Sequence, residues 1–374
     1  MKRRDFLRKA AGSAAGVATG AGALAGCGAG ESSSGVSAPS VITNPKVRWT
    51  LVSSFPRGLD TIFGASLVLA EKVAAMTDGN FTIDVNAPGE LVPGLQVLDA
   101  VGSGAAEVGQ SASYYYIGKN PALAFDTGVP FGLNARQQAA WLLGGGGLEL
   151  LRPVFADFGV RNFPGGNTGV QMGGWFRKEI SSVSDLGGLK VRIPGMGGEV
   201  MARLGATVQV LPGGEVYSAL ERGVLDAAEW VGPYDDEKLG LHKVANYYYY
   251  PGWWEPGPSL SYYVGLKAWD RLPAAYKAVF EAAAHESGIQ MQVRYDTKNP
   301  PALKRLVEGG VELRTFSPDI LRAAQAASTD LFEEYAAKDP VYRGIYTPWK
   351  KTRDESFAWF GKAELAYASF AFGG

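Results

Sequence analysis

Polar and apolar positions follow two different rhythms along this chain. In "VRWTLVSSF" (47–55) and "FTIDVN" (81–86) apolar and β-branched residues take alternating places, the pattern of a strand with one buried face. Between them Ile62, Ala65, Leu69, Val73 and Met76 fall at helical spacing. "TDGN" then stops the helix, because Gly79 can adopt the left-handed C-terminal cap. Strand, helix and strand in this order predict a βαβ unit, hence an α/β fold with parallel strands.

One pattern occurs twice. "VPGLQVLDAVGSGAAEVGQ" (92–110) aligns with "LPGGEVYSALERGVLDAAE" (211–229). Pro93 matches Pro212, Gly94 matches Gly213, Val97 matches Val216, Ala100 matches Ala219, Gly104 matches Gly223, and Glu107 matches Asp226. Each copy reads as a Pro-Gly turn, a short helix, a glycine stop and a short strand, so two similar lobes are expected. Ligands in open α/β sheets bind beyond the carboxyl ends of strands. That expectation puts Gln110 and Ser111 of one copy, and Glu229 and Trp230 of the other, on one cleft.

From 270 the rhythm turns helical. Pro300 and Pro301 predict a break between two helices, since neither can donate a helical hydrogen bond. "VELRTF" (311–316) predicts a late strand, and Ser317-Pro318 has the N-cap and first-turn residues of a following helix. The tail "ESFAWFGKAELAYASFAF" reads as a ring-rich helix expected in the core, with docking on a second copy as the alternative.

Length adds to this picture: 374 residues exceed one typical core, again favouring two lobes. The formal net charge of −1 argues against a nucleic-acid partner. The start of the chain carries Arg3-Arg4-Asp5-Phe6-Leu7, an Ala/Gly stretch, and Leu24-Ala25-Gly26-Cys27. These resemble a twin-arginine export signal and a bacterial lipobox, in that order, so residues 1–27 are read as a signal peptide with Cys27 the lipidated residue. The alternative is an Ala-rich leader with a chance cysteine. Cys27 is the only cysteine, which excludes disulfides and thiolate chemistry from the body. Residues 28–45 are Gly/Ser/Pro-rich and read as a flexible linker.

Enzyme signatures are scarce. The two histidines, His242 and His285, have no nucleophile or metal-ligand neighbour at a telling spacing. No HExxH or cysteine cluster suggests zinc, and "GMGGEVMARLG" (195–205) lacks the lysine of a phosphate loop. Three stretches stand out instead. "NTGVQMGGWF" (167–176) reads as an apolar strand carrying Gln171. "GLKVRIPGMGGE" (188–199) ends a strand with Arg192, a planar, bidentate donor for a carboxylate. "DAAEWVGPYDD" (226–236) sets Glu229 and Trp230 after an apolar strand. To these "YYYYPGWWEPGP" (247–258) adds one carboxylate, Glu255, among six rings, which asks what that carboxylate is paired with.

Taken together, these stretches resemble the solute-binding subunits of tripartite ATP-independent periplasmic (TRAP) transporters, over nearly the whole chain after the leader. "NTGVQMGGWFRKEI", "EWVGPYDD" and "YYYYPGWWEPGP" resemble the branch that binds 2-oxo acids and related monocarboxylates with a metal ion. The resemblance implies a two-lobed periplasmic-binding-protein-like α/β fold, a ligand cleft between the lobes and extra C-terminal helices. Lobe 1 is placed at 46–169 and 257–300, and lobe 2 with the C-terminal helices at 170–256 and 301–374. It implies that Arg192 grips the solute carboxylate, and that Gln171, Glu229, the Trp230 carbonyl and Glu255 hold the metal. Gln171, Trp230 and the tyrosines Tyr115 and Tyr116 are expected at the solute.

Charge balance points the same way. Two carboxylates in one cleft repel an anionic solute, by about 4 kcal/mol for like charges ~4 Å apart near a protein surface. Arg192 offsets one charge only. A hard cation held by oxygens, Ca²⁺ or Na⁺, resolves the sum, with the rings excluding water. The expected protein catalyses nothing. It captures a 2-oxo acid such as pyruvate or a 2-hydroxy acid such as lactate outside the cytoplasm and hands it to a membrane permease, with a homodimer through the C-terminal helix as a further expectation. Two alternatives stay open: a carbohydrate-active hydrolase using Glu229 and Glu255 with Trp230, Trp253 and Trp254 as sugar platforms, and a sugar- or peptide-binding protein of an ATP-driven importer.

Overall fold

A computed structural model describes residues 45–373. The signal peptide, Cys27 and all but the last residue of the proposed linker lie outside them. Two mixed sheets organise the fold. The first contains β1 (Val47–Ser53), β2 (Phe81–Asn86), β3 (Val108–Ser111) and β4 (Val160–Asn167). The second contains β5 (Gly174–Phe176), β6 (Lys190–Arg192), β7 (Thr207–Gln209), β8 (Ala227–Ala228) and β9 (Tyr247–Tyr250). The chain then returns to the first sheet with β10 (Ser259–Gly265) and again to the second with β11 (Glu312–Thr315), giving the orders β2-β1-β3-β10-β4 and β11-β9-β5-β8-β6-β7.

The βαβ unit forms as its pattern predicts. Helix Ile62–Met76 buries Ile62, Ala65, Leu69 and Val73 but leaves Met76 exposed, and β1 pairs parallel with β2. Not every strand is parallel: β10 runs antiparallel to β3 and β4, and β5 antiparallel to β8 and β9. At these two strands the chain has just crossed from the other sheet through a single loop, whereas β11, reached through helix Ala274–Glu308, runs parallel to β9.

Both copies of the repeat fold alike. Helix Val97–Ser103 ends at Gly104 (φ +83°) and leads to β3, while helix Gly213–Glu221 is followed by Gly223 (φ +71°) and β8. Both glycines sit in the left-handed region that L-residues avoid. The matched acids also share a task. Glu107 accepts from the Thr50 amide at 2.8 Å and Asp226 from the Lys190 amide at 3.0 Å, each tying its copy to the neighbouring strand.

Two expectations fail. Helix Ala274–Glu308 runs through Pro300 and Pro301 without a break. Its two flanks are anchored, Phe280, Ala283 and Met291 in the core before the prolines and Ala302 and Leu306 after them, so packing holds the axis although two backbone donors are missing. The tail is not a core helix either. Helix Pro340–Phe360 continues through a π-helical turn at Gly361–Leu365 into Ala366–Phe372, and Tyr367, Phe370 and Phe372 are 69%, 88% and 83% exposed.

Candidate functional site

The site is built where the chain passes between sheets. One crossing is the loop 168–173 between β4 and β5; another is the loop 251–258 between β9 and β10. The first holds Gln171 and the second Glu255. Gln171 is therefore on a connection, not on the single strand that 167–176 had suggested, because the glycine-rich segment must leave one sheet and join the other. Backbone bonds lash the two crossings together, from the Gln171 amide to the Glu255 carbonyl at 3.2 Å and from the Gly252 amide to the Gln171 carbonyl at 2.9 Å.

The second sheet supplies the charge pair. β6 and β8 are parallel neighbours with Arg192 opposite Ala228, so Arg192 and Glu229 emerge side by side at their carboxyl ends. The guanidinium Nη1 donates to the Glu229 carboxylate and, at 3.1 Å, to the Glu229 carbonyl; Nε donates to the Leu211 carbonyl at 3.1 Å. The guanidinium also lies 5.1 Å from the centre of the Trp230 ring, whose edge fits because Gly213 has no side chain: a Cβ there would come within 2.2 Å of it. Arg192, Glu229, Glu255 and Gln171 are 1%, 2%, 3% and 4% exposed.

Such burial leaves polar atoms short of partners. Among the described residues, Arg192 Nη2, Glu229 Oε2 and Gln171 Oε1 have none, although a buried polar group without a hydrogen bond is costly. Burial pushes the Glu229 carboxyl up to about 7 even with Arg192 beside it. Glu255 is pushed well above the ordinary carboxyl range by burial first and by the Glu229 charge second. Two acids are thus buried close to one guanidinium, with unpartnered oxygens on Glu229 and Gln171.

The opposing wall comes from the turn Ser113–Tyr116 after β3. Tyr114 donates to Glu255 Oε2 at 3.3 Å, and Tyr115 lies against the Arg192 guanidinium, its hydroxyl pushed up to about 12 by burial. Tyr116 does not join them. Its hydroxyl is engaged by the Leu98 amide at 3.3 Å and by Ser111 Oγ at 3.0 Å, within the core of the first sheet. On this short 3₁₀ turn three successive tyrosines point different ways, which is why the sequence did not single out Tyr114. Gln110 and Ser111 are likewise turned inward. Gln110 accepts from Ser53 at 2.8 Å and donates to the Ile62 carbonyl at 2.7 Å; Ser111 bonds Ser54 at 2.6 Å.

The cavity between these walls is very small, about 10 Å³, and is lined by Phe55, Ile62, Val231 and Leu260 together with Arg192 and Gln171. Thr168, not foreseen from the sequence, accepts from Gln171 Nε2 at 3.2 Å and so leaves Oε1 as the unpartnered end of the amide. The tyrosines of β9 are not part of the lining: Tyr248 and Tyr249 pack under the second sheet, Tyr249 bonding Ile180 on both sides. The aromatic run 247–258 is therefore mostly core packing, and among the described residues the rings lining the pocket are Phe55, Tyr114, Tyr115 and Trp230.

Comparison with known proteins gives a consistent picture. The model of the bacterial extracellular solute-binding protein family 7 matches residues 53–339. A relative from Nostoc sp., described as a monocarboxylate 2-oxoacid-binding periplasmic protein, is 56% identical over 371 residues, 99% of each chain. A TRAP transporter solute-binding protein from Bordetella bronchiseptica, a mixed-occupancy dimer with copurified calcium and picolinate in one active site and the other apo, aligns with a TM-score of 0.87 at 48% identity, covering 88% of this chain and 98% of that one. A TRAP periplasmic solute-binding protein from Pseudoalteromonas atlantica, with bound sodium and pyruvate, aligns with a TM-score of 0.83 at 43% identity, covering 86% and 98%.

Proposed function

The chain belongs to the bacterial extracellular solute-binding protein family 7, and from that premise we propose that it captures a small monocarboxylate of the 2-oxo acid type, together with a metal ion, for a TRAP transporter. Its task is binding and delivery to membrane permease subunits, not turnover. The hydrolase alternative finds no support, since the family matched over residues 53–339 is one of solute-binding proteins.

The observation that carries the reading is the set of buried, unpartnered oxygens of Gln171 and Glu229 beside Glu255. They are hard donors, matched to Ca²⁺ or Na⁺ and unsuited to a thiophilic metal. Gln171, Glu229, Glu255 and the Trp230 carbonyl would hold the ion, which supplies positive charge that lets an anion approach two carboxylates. With a divalent ion the charges of both glutamates, Arg192 and one carboxylate cancel; with sodium one negative charge remains. Arg192 presents its free Nη2 to the solute carboxylate, Tyr115 lies beside it, and Phe55, Ile62 and Leu260 seat a short apolar tail and exclude water. The two lobes expected from the sequence, 46–169 with 257–300 and 170–256 with 301–374, close over the solute, with ligand stabilising the closed arrangement, although the division at 300/301 falls inside the unbroken helix Ala274–Glu308.

Titration calorimetry with pyruvate, lactate and longer 2-oxo acids, with and without a chelator, tests this. Metal-dependent heat with at least one 2-oxo acid is the expected result; silence across the panel overturns it.

Three finer readings accompany the proposal. The protein is exported by the twin-arginine-type signal and anchored through Cys27; mass spectrometry of membrane-fraction protein would find a diacylglycerol-modified Cys27 at the new N-terminus. It works in the periplasm, and among the described residues no helix is long and apolar enough to cross a membrane. It pairs with a second copy through its C-terminal helix, supported by the exposed rings of Tyr367, Phe370 and Phe372; removing residues 361–374 should yield a monomer in sedimentation.

A further inference from the structure

Beneath the turn that carries Glu229 and Trp230 lies a carboxylate with no assigned task, Asp236. It is 1% exposed and sits in the short helix Pro233–Leu239. Both its oxygens are fully engaged. Oδ1 accepts from the Val231 amide at 3.2 Å and the Gly232 amide at 3.1 Å. Oδ2 accepts from Trp175 Nε1 at 2.9 Å and the Tyr248 hydroxyl at 2.7 Å. Those two rings are stacked at 4.0 Å on adjacent strands β5 and β9, a rigid floor for the carboxylate.

The Val231 amide is not an arbitrary donor. It belongs to the same planar peptide unit as the Trp230 carbonyl, and in a trans peptide N–H and C=O point in opposite directions. Holding the Val231 N–H down onto Asp236 therefore turns the Trp230 C=O away from Asp236. The flanking groups are tied as well: the Glu229 amide to the Arg192 carbonyl at 3.1 Å, the Glu229 carbonyl to Arg192 Nη1 at 3.1 Å, and the Val231 carbonyl to the Met172 amide at 3.1 Å. Among the described residues nothing donates to the Trp230 carbonyl. Of the turn carbonyls 229–232, those of Glu229, Val231 and Gly232 are engaged, and the one left free is the one whose plane Asp236 fixes.

We propose that Asp236 is the positioning residue of the metal site, aiming the Trp230 carbonyl by clamping the peptide plane it belongs to. This rests on the proposed metal-dependent binding. Asparagine cannot replace it, because two donors face each oxygen and an amide nitrogen would meet donors whichever way it turned. Asp235 next to it is an internal control of equal burial: it bonds Thr61 at 2.5 Å and Tyr295 at 2.6 Å and touches no group of the turn.

The test compares the wild type, Asp236→Asn and Asp235→Asn in three measurements: calorimetric titration with calcium chloride alone, melting temperature without metal, and hydrogen exchange of the 231–232 amides without metal. Asp236→Asn should lower calcium affinity about 10- to 100-fold, the range usual for lost outer-shell partners, and speed exchange at 231–232. Asp235→Asn should lower the melting temperature but keep calcium affinity within a few-fold of wild type. If Asp236→Asn does not fold, Tyr248→Phe, which removes one of the four donors, should lose a few-fold in calcium affinity. Unchanged affinity in a folded Asp236→Asn or Tyr248→Phe protein, or equal loss in Asp235→Asn, overturns the assignment. A wild type that binds neither calcium nor sodium refutes the metal-site reading itself, whereas the exchange data still report on the clamp.

Discussion

The two copies of the repeated unit share a helix, a left-handed glycine stop and an acid that ties the strand to its neighbour, yet their strands end in opposite chemistry. At the end of β3, the side chains of Gln110 and Ser111 have every polar atom engaged by Ser53, Ser54, Ile62 and Tyr116. Beyond β8, Glu229 keeps an oxygen without a partner and stands beside an arginine that keeps a nitrogen without one. The difference teaches that the unit is scaffolding and that function lies in what its strand tip is denied. A closed network at the first tip stiffens the wall bearing Tyr114 and Tyr115. An open one at the second leaves donors and acceptors for something from outside.

Four expectations would break or sharpen that comparison. The largest effect belongs to Arg192→Ala. Removing it leaves Glu229 as an uncompensated buried charge, a change of about 3–5 kcal/mol, and calorimetry with pyruvate and calcium should find binding lost; normal binding would remove the carboxylate role from Arg192. Next, Glu255→Gln should reduce calcium affinity by roughly tenfold or more, since ligand charge sets affinity at such sites, while a protein still loaded at saturating calcium should keep much of its solute affinity.

Third comes pH. The folded pKa of Glu229 is raised above its ordinary value, to about 7, by burial, and that of Glu255 is raised in the same direction. The folded, metal-free protein thus binds protons more tightly than the unfolded chain. The resulting stability is fully present below the ordinary carboxyl range and is lost as pH rises through about 7. Calcium affinity should move the other way and rise over the same window, because the ion displaces the proton. Melting curves and calcium titrations between pH 5 and pH 8 check both; parallel trends would contradict the shared site. The smallest effect on binding is expected for Gln110→Ala. It should destabilise the fold by about 1–3 kcal/mol by leaving Ser53 and the Ile62 carbonyl unpaired, with calcium and solute affinity near wild type. A selective loss of solute binding would return Gln110 to the cleft.

Much of the fold was legible because the signals were local. Period-two and helical spacing located β1, β2 and the helix between them, and Ser317, whose side chain accepts from the Ile320 amide, capped its helix as expected. The repeat was legible because its glycines and acids answer to backbone geometry. The helix through Pro300 and Pro301 was not, since its continuity depends on packing at both flanks, and the exposed tail was not, since rings in a helix look the same whether they are covered or bare.

The sequence by itself determined an α/β chain with a duplicated unit, one arginine and two isolated glutamates amid apolar neighbours, because periodicity, glycine stops and charge are properties of short windows. The tertiary structure alone decided that loops 168–173 and 251–258 meet, that Tyr114 and not Tyr116 faces Glu255, and that Asp236 holds the peptide after Trp230. Those facts depend on where distant segments cross and which way a side chain turns. No window of residues contains that information until the two sheets are in place.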